Sequence, residues 1–136
     1  MTLKEQLIRD EGGFQRTPYR DSGGKLTIGY GRNLDDVGIS RGEADLLLNN
    51  DLARAIEAVA AFSWIGTVDE IRRAALVNLC FNVGAAGLQT FTKMLAACAR
   101  GDWGTAAAEL LDSRYHQQVG ARAERLAQQL VIGEWI

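Results

Sequence analysis

The chain has little of several things, and each shortage removes a class of function. It holds one proline, two cysteines and one histidine in 136 residues. Cys80, Cys98 and His116 do not stand at metal-ligand spacing, and nothing else in the sequence could complete a zinc set with them. Each cysteine sits among apolar neighbours on a helical pattern, so both read as buried free thiols. Basic residues are not in excess: 15 Lys and Arg face 17 Asp and Glu, a formal net charge of −2. No basic stripe marks a nucleic-acid partner. No apolar run approaches the length of a membrane span, which argues against stable membrane insertion. The opening "MTLKEQLIRDEGG" lacks the long apolar stretch and small-residue cleavage site of a secretory signal. The expectation is synthesis in the cytoplasm, with any export by another route.

What is present is a chain of one domain's length with a real apolar core, since 47% of its residues are hydrophobic. Glycine is densest between Gly12 and Gly42, which separates a turn-rich part from a helix-rich remainder. Thr2-Leu3-Lys4-Glu5 is a capping box that opens a first helix, and Gly12-Gly13 stops it. "TPYR" and "KLTIGYG" read as short strands around the turn "DSGG", with a weak third strand near Tyr30 to Leu34. Ser40-Arg41-Gly42-Glu43 opens a long helix to about Ala61, with Leu47, Leu48, Leu52, Ile56 and Val59 on its apolar stripe. Thr67-Val68-Asp69-Glu70 opens a helix to about Val83 whose segment "AALVNLCFNV" is apolar nearly all round, the mark of a buried central helix. Its Asn78 and Asn82 share a face, which needs polar partners or a cleft. Shorter helices follow over about Phe91–Arg100, from the Asp102 cap to about Leu111, over "SRYHQQ", and over Ala121–Ile132. The resulting expectation is an α+β chain, mostly α. Residues 13–60 make a small β-containing lobe with its connecting helix, and residues 1–12 and 61–136 make a larger helical lobe.

The opening stretch "RDEGGFQRTPYRDSGGKLTIGYGRN" carries the chemistry. At 100° per residue Glu11 shares a helix face with Leu3 and Leu7, and it stands at the negative end of the helix dipole. Both effects disfavour a carboxylate and favour the protonated acid that proton donation requires. The plain alternative is a solvated acid at a fraying helix end. Asp21 opens a glycine-rich turn, where aspartate commonly bonds its own backbone. Strand alternation turns Thr27 away from Leu26 and Ile28. Two carboxyl groups in unlike settings and a hydroxyl suit glycoside hydrolysis, one acid protonating the leaving oxygen and the other group acting on water.

The string "DEGG…PYRDSGGKLTIGYGRN" resembles the phage-type lysozymes, the endolysins of glycoside hydrolase family 24. So do "SRGEADLLLNNDL", "DEIRRAALVNLCFNVGAAGLQTFTKML", "SRYHQQVGARAERL" and the terminal "GEW", so the resemblance covers nearly the whole chain. It implies a lysozyme-like fold of two lobes joined by a long helix, and a monomer. It implies hydrolysis, with inversion, of the bond between N-acetylmuramic acid and N-acetylglucosamine in peptidoglycan glycan strands, with no metal or organic cofactor. Glu11 would be the proton donor, and Asp21 and Thr27 would position the attacking water. Gly29 and Gly31 would let sugar approach the backbone, or would serve only as turn residues. Asn33, Phe81 and Asn82 match cleft positions, core packing being an equal reading for Phe81. Tyr115 and Gln118 fall at the cleft rim, and His116 on the surface. Arg122 matches an arginine that pairs with the donor glutamate, and Arg32 with Asp51 matches an ion pair. Release through a holin pore would follow from the same resemblance.

Two departures stand out: the segment from Asn33 to Ser40 is short, and the charge is not basic, which weakens non-specific attraction to an anionic wall. Two other functions remain open on this fold, a lytic transglycosylase and a catalytically inactive wall-binding protein. The first needs only the acid, and the second would be marked by a lost Glu or Asp, neither of which is lost here.

Overall fold

A computed structural model describes all residues, Met1–Ile136. Seven α-helices and one three-stranded antiparallel sheet form an α+β, mostly helical architecture, as expected. The chain packs as two compact units, Met1–Leu47 and Leu48–Ile136. The first helix, read from sequence as part of the helical lobe, lies in the first unit. No single helix is long and apolar enough to cross a membrane.

In the first unit, α1 spans Leu3–Asp10. Its capping box is complete: the Glu5 amide donates to Thr2 Oγ1 at 3.1 Å, and the Thr2 amide donates to the Glu5 carboxylate at 2.6 Å. Strands β1 (Gln15–Arg20), β2 (Leu26–Gly29) and β3 (Arg32–Asn33) follow in the order β1-β2-β3. Pro18 lies in the edge strand, where a missing N–H is tolerated. Helix α2 (Arg41–Ala60) starts in this unit from a second capping box, with the Glu43 amide on Ser40 Oγ at 3.1 Å and the Ser40 amide on Glu43 at 2.9 Å.

The same Glu43 corrects one expectation. Arg32 pairs with Glu43 at 2.7 Å, whereas Asp51 is bonded by Arg54, so each member of the expected Arg32–Asp51 pair has another partner. The Arg32 hydrogen bond, with the Ser40 bonds behind it, holds the Glu43 carboxyl down at about 2. The physical reason is economy of reach: Glu43 sits in the first turn of α2, already fixed by the cap, so β3 meets it with little extra ordering.

The second unit is a helical bundle. Helix α3 (Glu70–Gln89) supplies Ala75, Leu76, Val77, Leu79 and Cys80 to the core, as its apolar run predicts. Asp69, not Thr67, caps it, accepting from the Arg72 amide at 3.0 Å. Thr67 closes a short 3₁₀ turn (Ile65–Thr67) and turns its hydroxyl back to the Trp64 carbonyl at 2.8 Å. Gly84, at φ 81° and ψ 166°, breaks α3 where its sequence pattern fades. Helices α4 (Thr92–Ala99), α5 (Trp103–Leu111), α6 (Arg114–Val119) and α7 (Ala121–Ile132) complete the unit. On α2 only Ala55 and Val59 are buried, whereas Leu47, Leu48, Leu52 and Ile56 are exposed, against the expected stripe. Cys80 and Cys98 are free and buried, and burial pushes the Cys98 thiol up to about 12.

Arg72 fastens the end of α7 to the rest of this bundle. Its guanidinium donates to the Leu130 carbonyl at 2.6 Å and the Val131 carbonyl at 2.8 Å, pairs with Asp69 at 3.1 Å, and lies 5.1 Å from the Trp103 ring. A cation on the last carbonyls of a helix also meets the negative end of its dipole. Gly133 ends α7 at φ 67°, and a Cβ there would lie 2.9 Å from the guanidinium carbon. Arg72→Ala removes charged donors from two carbonyls at once and should cost about 2–3 kcal/mol, read as a lower midpoint in urea with an unchanged slope. A midpoint equal to that of the wild type would refute the staple.

Candidate functional site

The double glycine after Glu11 has a defined geometry. Glu11 is the C-cap of α1, at φ −82° and ψ 0°. The Gly12 amide donates to the Arg9 carbonyl at 3.0 Å and the Gly13 amide to the Ile8 carbonyl at 2.8 Å. This pair of bonds is the Schellman motif, and it needs the left-handed conformation that Gly12 adopts at φ 84°. Glu11 is thus set at a fixed helix end rather than a fraying one. Its side chain is exposed within the structure, and α1 buries none of its residues, so the expected burial of the acid on an apolar face is not found. What Glu11 does touch is Gly31: a Cβ on that glycine would lie 2.6 Å from the Glu11 carboxyl carbon and Oε2.

Asp21 builds the turn that its place before paired glycines implies. One oxygen, Oδ1, accepts from the Gly23 amide at 2.9 Å and the Lys25 amide at 2.8 Å, which builds the turn between β1 and β2. Oδ2 takes no part in that turn. Thr27, 2% exposed, lies in β2 opposite Tyr19 of β1 and Asn33 of β3. Its hydroxyl donates to the Lys25 carbonyl at 2.9 Å. The peptide groups of Lys25 therefore link the two side chains, the N–H held by Asp21 and the C=O by Thr27. With its proton spent on Lys25, the Thr27 oxygen offers only lone pairs. Asp21 Oδ2 and Thr27 Oγ1 are thus both left as acceptors.

Asn33 is committed elsewhere. Its side-chain amide donates to Asp36 at 3.0 Å and its side-chain oxygen accepts the Asp36 amide at 2.9 Å, which folds the loop before α2. Asp35 in that loop accepts from the Leu26 amide at 2.8 Å and ties it to β2. This loop clasp went unread in the sequence, although "NLDD" carries the side chains that make it. Gly29 and Gly31 flank Tyr30 in the β2–β3 turn, at φ 71° and 81°.

In the second unit, Arg122 donates to the Asn78 side-chain oxygen at 2.8 Å and to the Asn78 carbonyl at 3.4 Å. The resemblance gives Arg122 a glutamate partner; its observed partner on α3 is Asn78. Both line an apolar groove of about 520 Å³ with Leu52, Ile56, Val77 and Phe81. Asn82 and Gln118 are exposed. Tyr115, expected at a rim, is 5% exposed, packs edge-on against Phe91, and leaves its hydroxyl without a partner. Burial raises the pKa of its phenol above the ordinary value, while the Arg122 charge works against the rise.

His116, expected at the surface, is half-buried and joins three elements. Nδ1 meets the Leu111 carbonyl at the end of α5 at 2.8 Å, and Nε2 meets Glu124 in the first turn of α7 at 3.2 Å. Two acceptors facing two ring nitrogens favour the doubly protonated ring. The Glu124 hydrogen bond first, then the Leu111 carbonyl, raise its pKa above the ordinary 6.5. A raised folded value stabilises the fold fully below about pH 6.5, and the contribution fades as pH climbs through the folded value. Since this is the only histidine, one imidazole resonance should titrate above 6.5, and His116→Gln should erase that part of the pH dependence of stability. A resonance titrating at or below 6.5 would contradict the bridge.

Comparison with known proteins places this geometry in context. The phage lysozyme family matches residues 9–129. The chain is 30% identical over 162 aligned positions to the pre-baseplate central spike protein Gp5 of Enterobacteria phage T4, covering 98% of this chain and 28% of that protein. The chain thus spans little more than a quarter of that relative's length. It is 29% identical to the Dictyostelium discoideum protein named "Probable T4-type lysozyme 2", covering 92% of this chain and 91% of that one. A second protein of that organism, "Probable T4-type lysozyme 1", is 26% identical with the same coverage. The alignments run to 155 and 162 positions against 136 residues here, so these relatives carry segments that this chain lacks.

Proposed function

Since the chain belongs to the phage lysozyme family, whose members are lysozyme-type glycosidases, we propose that it is a muramidase. It hydrolyses the β-1,4 bond between N-acetylmuramic acid and N-acetylglucosamine in peptidoglycan, with inversion at the anomeric carbon. The observation that carries this reading is the Asp21–Lys25–Thr27 arrangement. Two lone-pair acceptors held by one residue's peptide groups are suited to fixing a water. A transglycosylase, in which the sugar's own hydroxyl attacks, has no use for such a holder.

The roles divide by chemistry. Glu11 donates a proton to the leaving glycosidic oxygen from the end of α1. The water held by Asp21 and Thr27 loses a proton toward the Asp21 carboxylate as its oxygen bonds to the anomeric carbon. The glycosidic C–O bond breaks, and the leaving sugar departs with the proton from Glu11. The enzyme acts as a monomer on the wall after release from the cytoplasm, and a pore of the holin kind is the proposed route.

Digestion of purified peptidoglycan followed by mass spectrometry tests the reaction class. Fragments ending in reducing muramic acid are the expected products. Predominantly 1,6-anhydro ends, lighter by one water, would mean transglycosylation and would remove the proposed task of Asp21 and Thr27.

A further inference from the structure

Among the positive-φ glycines of the first unit, Gly31 is alone in being demanded by a neighbour. A Cβ on Gly12, Gly13, Gly24, Gly29 or Gly38 would meet nothing within 4 Å, so those positions need glycine for backbone conformation only. At Gly31 the same Cβ would lie 2.6 Å from Glu11 Cδ, 2.6 Å from Oε2 and 2.8 Å from Cγ, at a φ of +81°. All three atoms belong to the end of the one side chain that the proposed reaction asks to deliver a proton. Real Cβ atoms do not approach carboxyl atoms this closely, and Glu11, being the flexible partner, would be the group to move.

We propose that Gly31 is a positioning residue for the acid: the space left by its absent side chain is the seat of the Glu11 carboxyl. The helix end fixes the backbone of Glu11 through the Schellman bonds, and the turn between β2 and β3 fixes Gly31 through the pairs Thr27–Asn33 and Ile28–Arg32. Between those two fixed backbones the exposed carboxyl lies over the space that a Gly31 Cβ would fill. A general acid works only when its proton points at the leaving oxygen, and displacement of a reacting group by about 1 Å can cost on the order of 10²-fold in rate. This rests on the reading of Glu11 as the proton donor. It differs from a sugar-contact role for Gly31, because a lost sugar contact weakens binding, whereas a displaced acid slows the chemical step.

The test compares Gly31→Ala with Gly101→Ala at the end of α4, which carries similar backbone strain at φ +73° with nothing near its Cβ. Steady-state kinetics on soluble peptidoglycan fragments should show kcat lower by about tenfold or more in Gly31→Ala, KM within about twofold, and wild-type behaviour in Gly101→Ala. An unchanged kcat in folded Gly31→Ala, or a raised KM with kcat intact, overturns the proposal. A second readout needs no activity and no Gly31 variant. In Glu11→Ala the amide resonance of Gly31 should move while that of Gly24 stays, and an unmoved Gly31 resonance overturns the seat. Should Glu11→Gln retain full activity, the acid assignment fails on its own, and the resonance experiment still decides whether the two residues touch.

Discussion

Glu11→Gln should abolish lysis while leaving the fold intact. Glutamine keeps the length and planarity of the side chain, so it still fits against Gly31 and still leaves the Schellman bonds of Gly12 and Gly13 undisturbed. What it loses is the transferable proton. Removal of a general acid lowers the rate by roughly 10²–10⁴-fold, far beyond anything an altered surface charge would do at an exposed helix end. Turbidity loss of chloroform-treated Gram-negative cells reports the rate, and far-UV circular dichroism reports the fold. Activity within about tenfold of the wild type would remove Glu11 from the role. Asp10 is the internal control. It is exposed and paired with its neighbour Arg9 at 3.1 Å, so Asp10→Asn should lyse at close to the wild-type rate.

Asp21 should separate two functions that share one carboxylate. Oδ1 builds the turn by accepting the Gly23 and Lys25 amides, and an asparagine side-chain oxygen can accept both. Asp21→Asn should therefore keep stability close to wild type. In place of the second carboxylate oxygen it presents an N–H₂, which donates where water must donate. It also cannot take the proton that the water sheds. Turnover should fall by about 10²-fold or more. Asp21→Ala should lose turnover and stability together, because two turn amides lose their acceptor, at about 1–3 kcal/mol if they find no water. Equal stability of the Asn and Ala variants would mean that the turn does not depend on the carboxylate. Full turnover in the Asn variant would free Asp21 from the chemistry.

The sequence was most legible where structure is decided within a few residues. The capping boxes at Thr2 and Ser40, the cap at Asp102, and the stops at Gly12 and Gly133 are local hydrogen-bond problems with local answers. The turn at Asp21 and the facing of Thr27 followed from the same short-range rules, and so did the buried thiols. Choices among several acceptable partners were not legible. Arg32 had four acids within α2 to choose from, Glu43, Asp45, Asp51 and Glu57, and chain geometry decided for Glu43. The Thr67–Glu70 box reads as the start of α3, but the 3₁₀ turn before the helix takes Thr67, and Asp69 caps it. Asn33 looked like a site residue because its motif placed it there, while its amide is absorbed by Asp36. The contact between Glu11 and Gly31 joins residues twenty apart in the chain, and only the paired backbones of the first unit bring it into view.

In the proposed reaction Asp21 and Thr27 direct a single water to the anomeric carbon from the face opposite the leaving group. Proton NMR of a digest, recorded in the first minutes before mutarotation mixes the anomers, reads that geometry directly. The muramic acid reducing ends should appear first as the α anomer and drift toward the equilibrium mixture. First-formed β anomer would mean a double displacement through a covalent intermediate, and would contradict a water held by Asp21 and Thr27 as the first nucleophile.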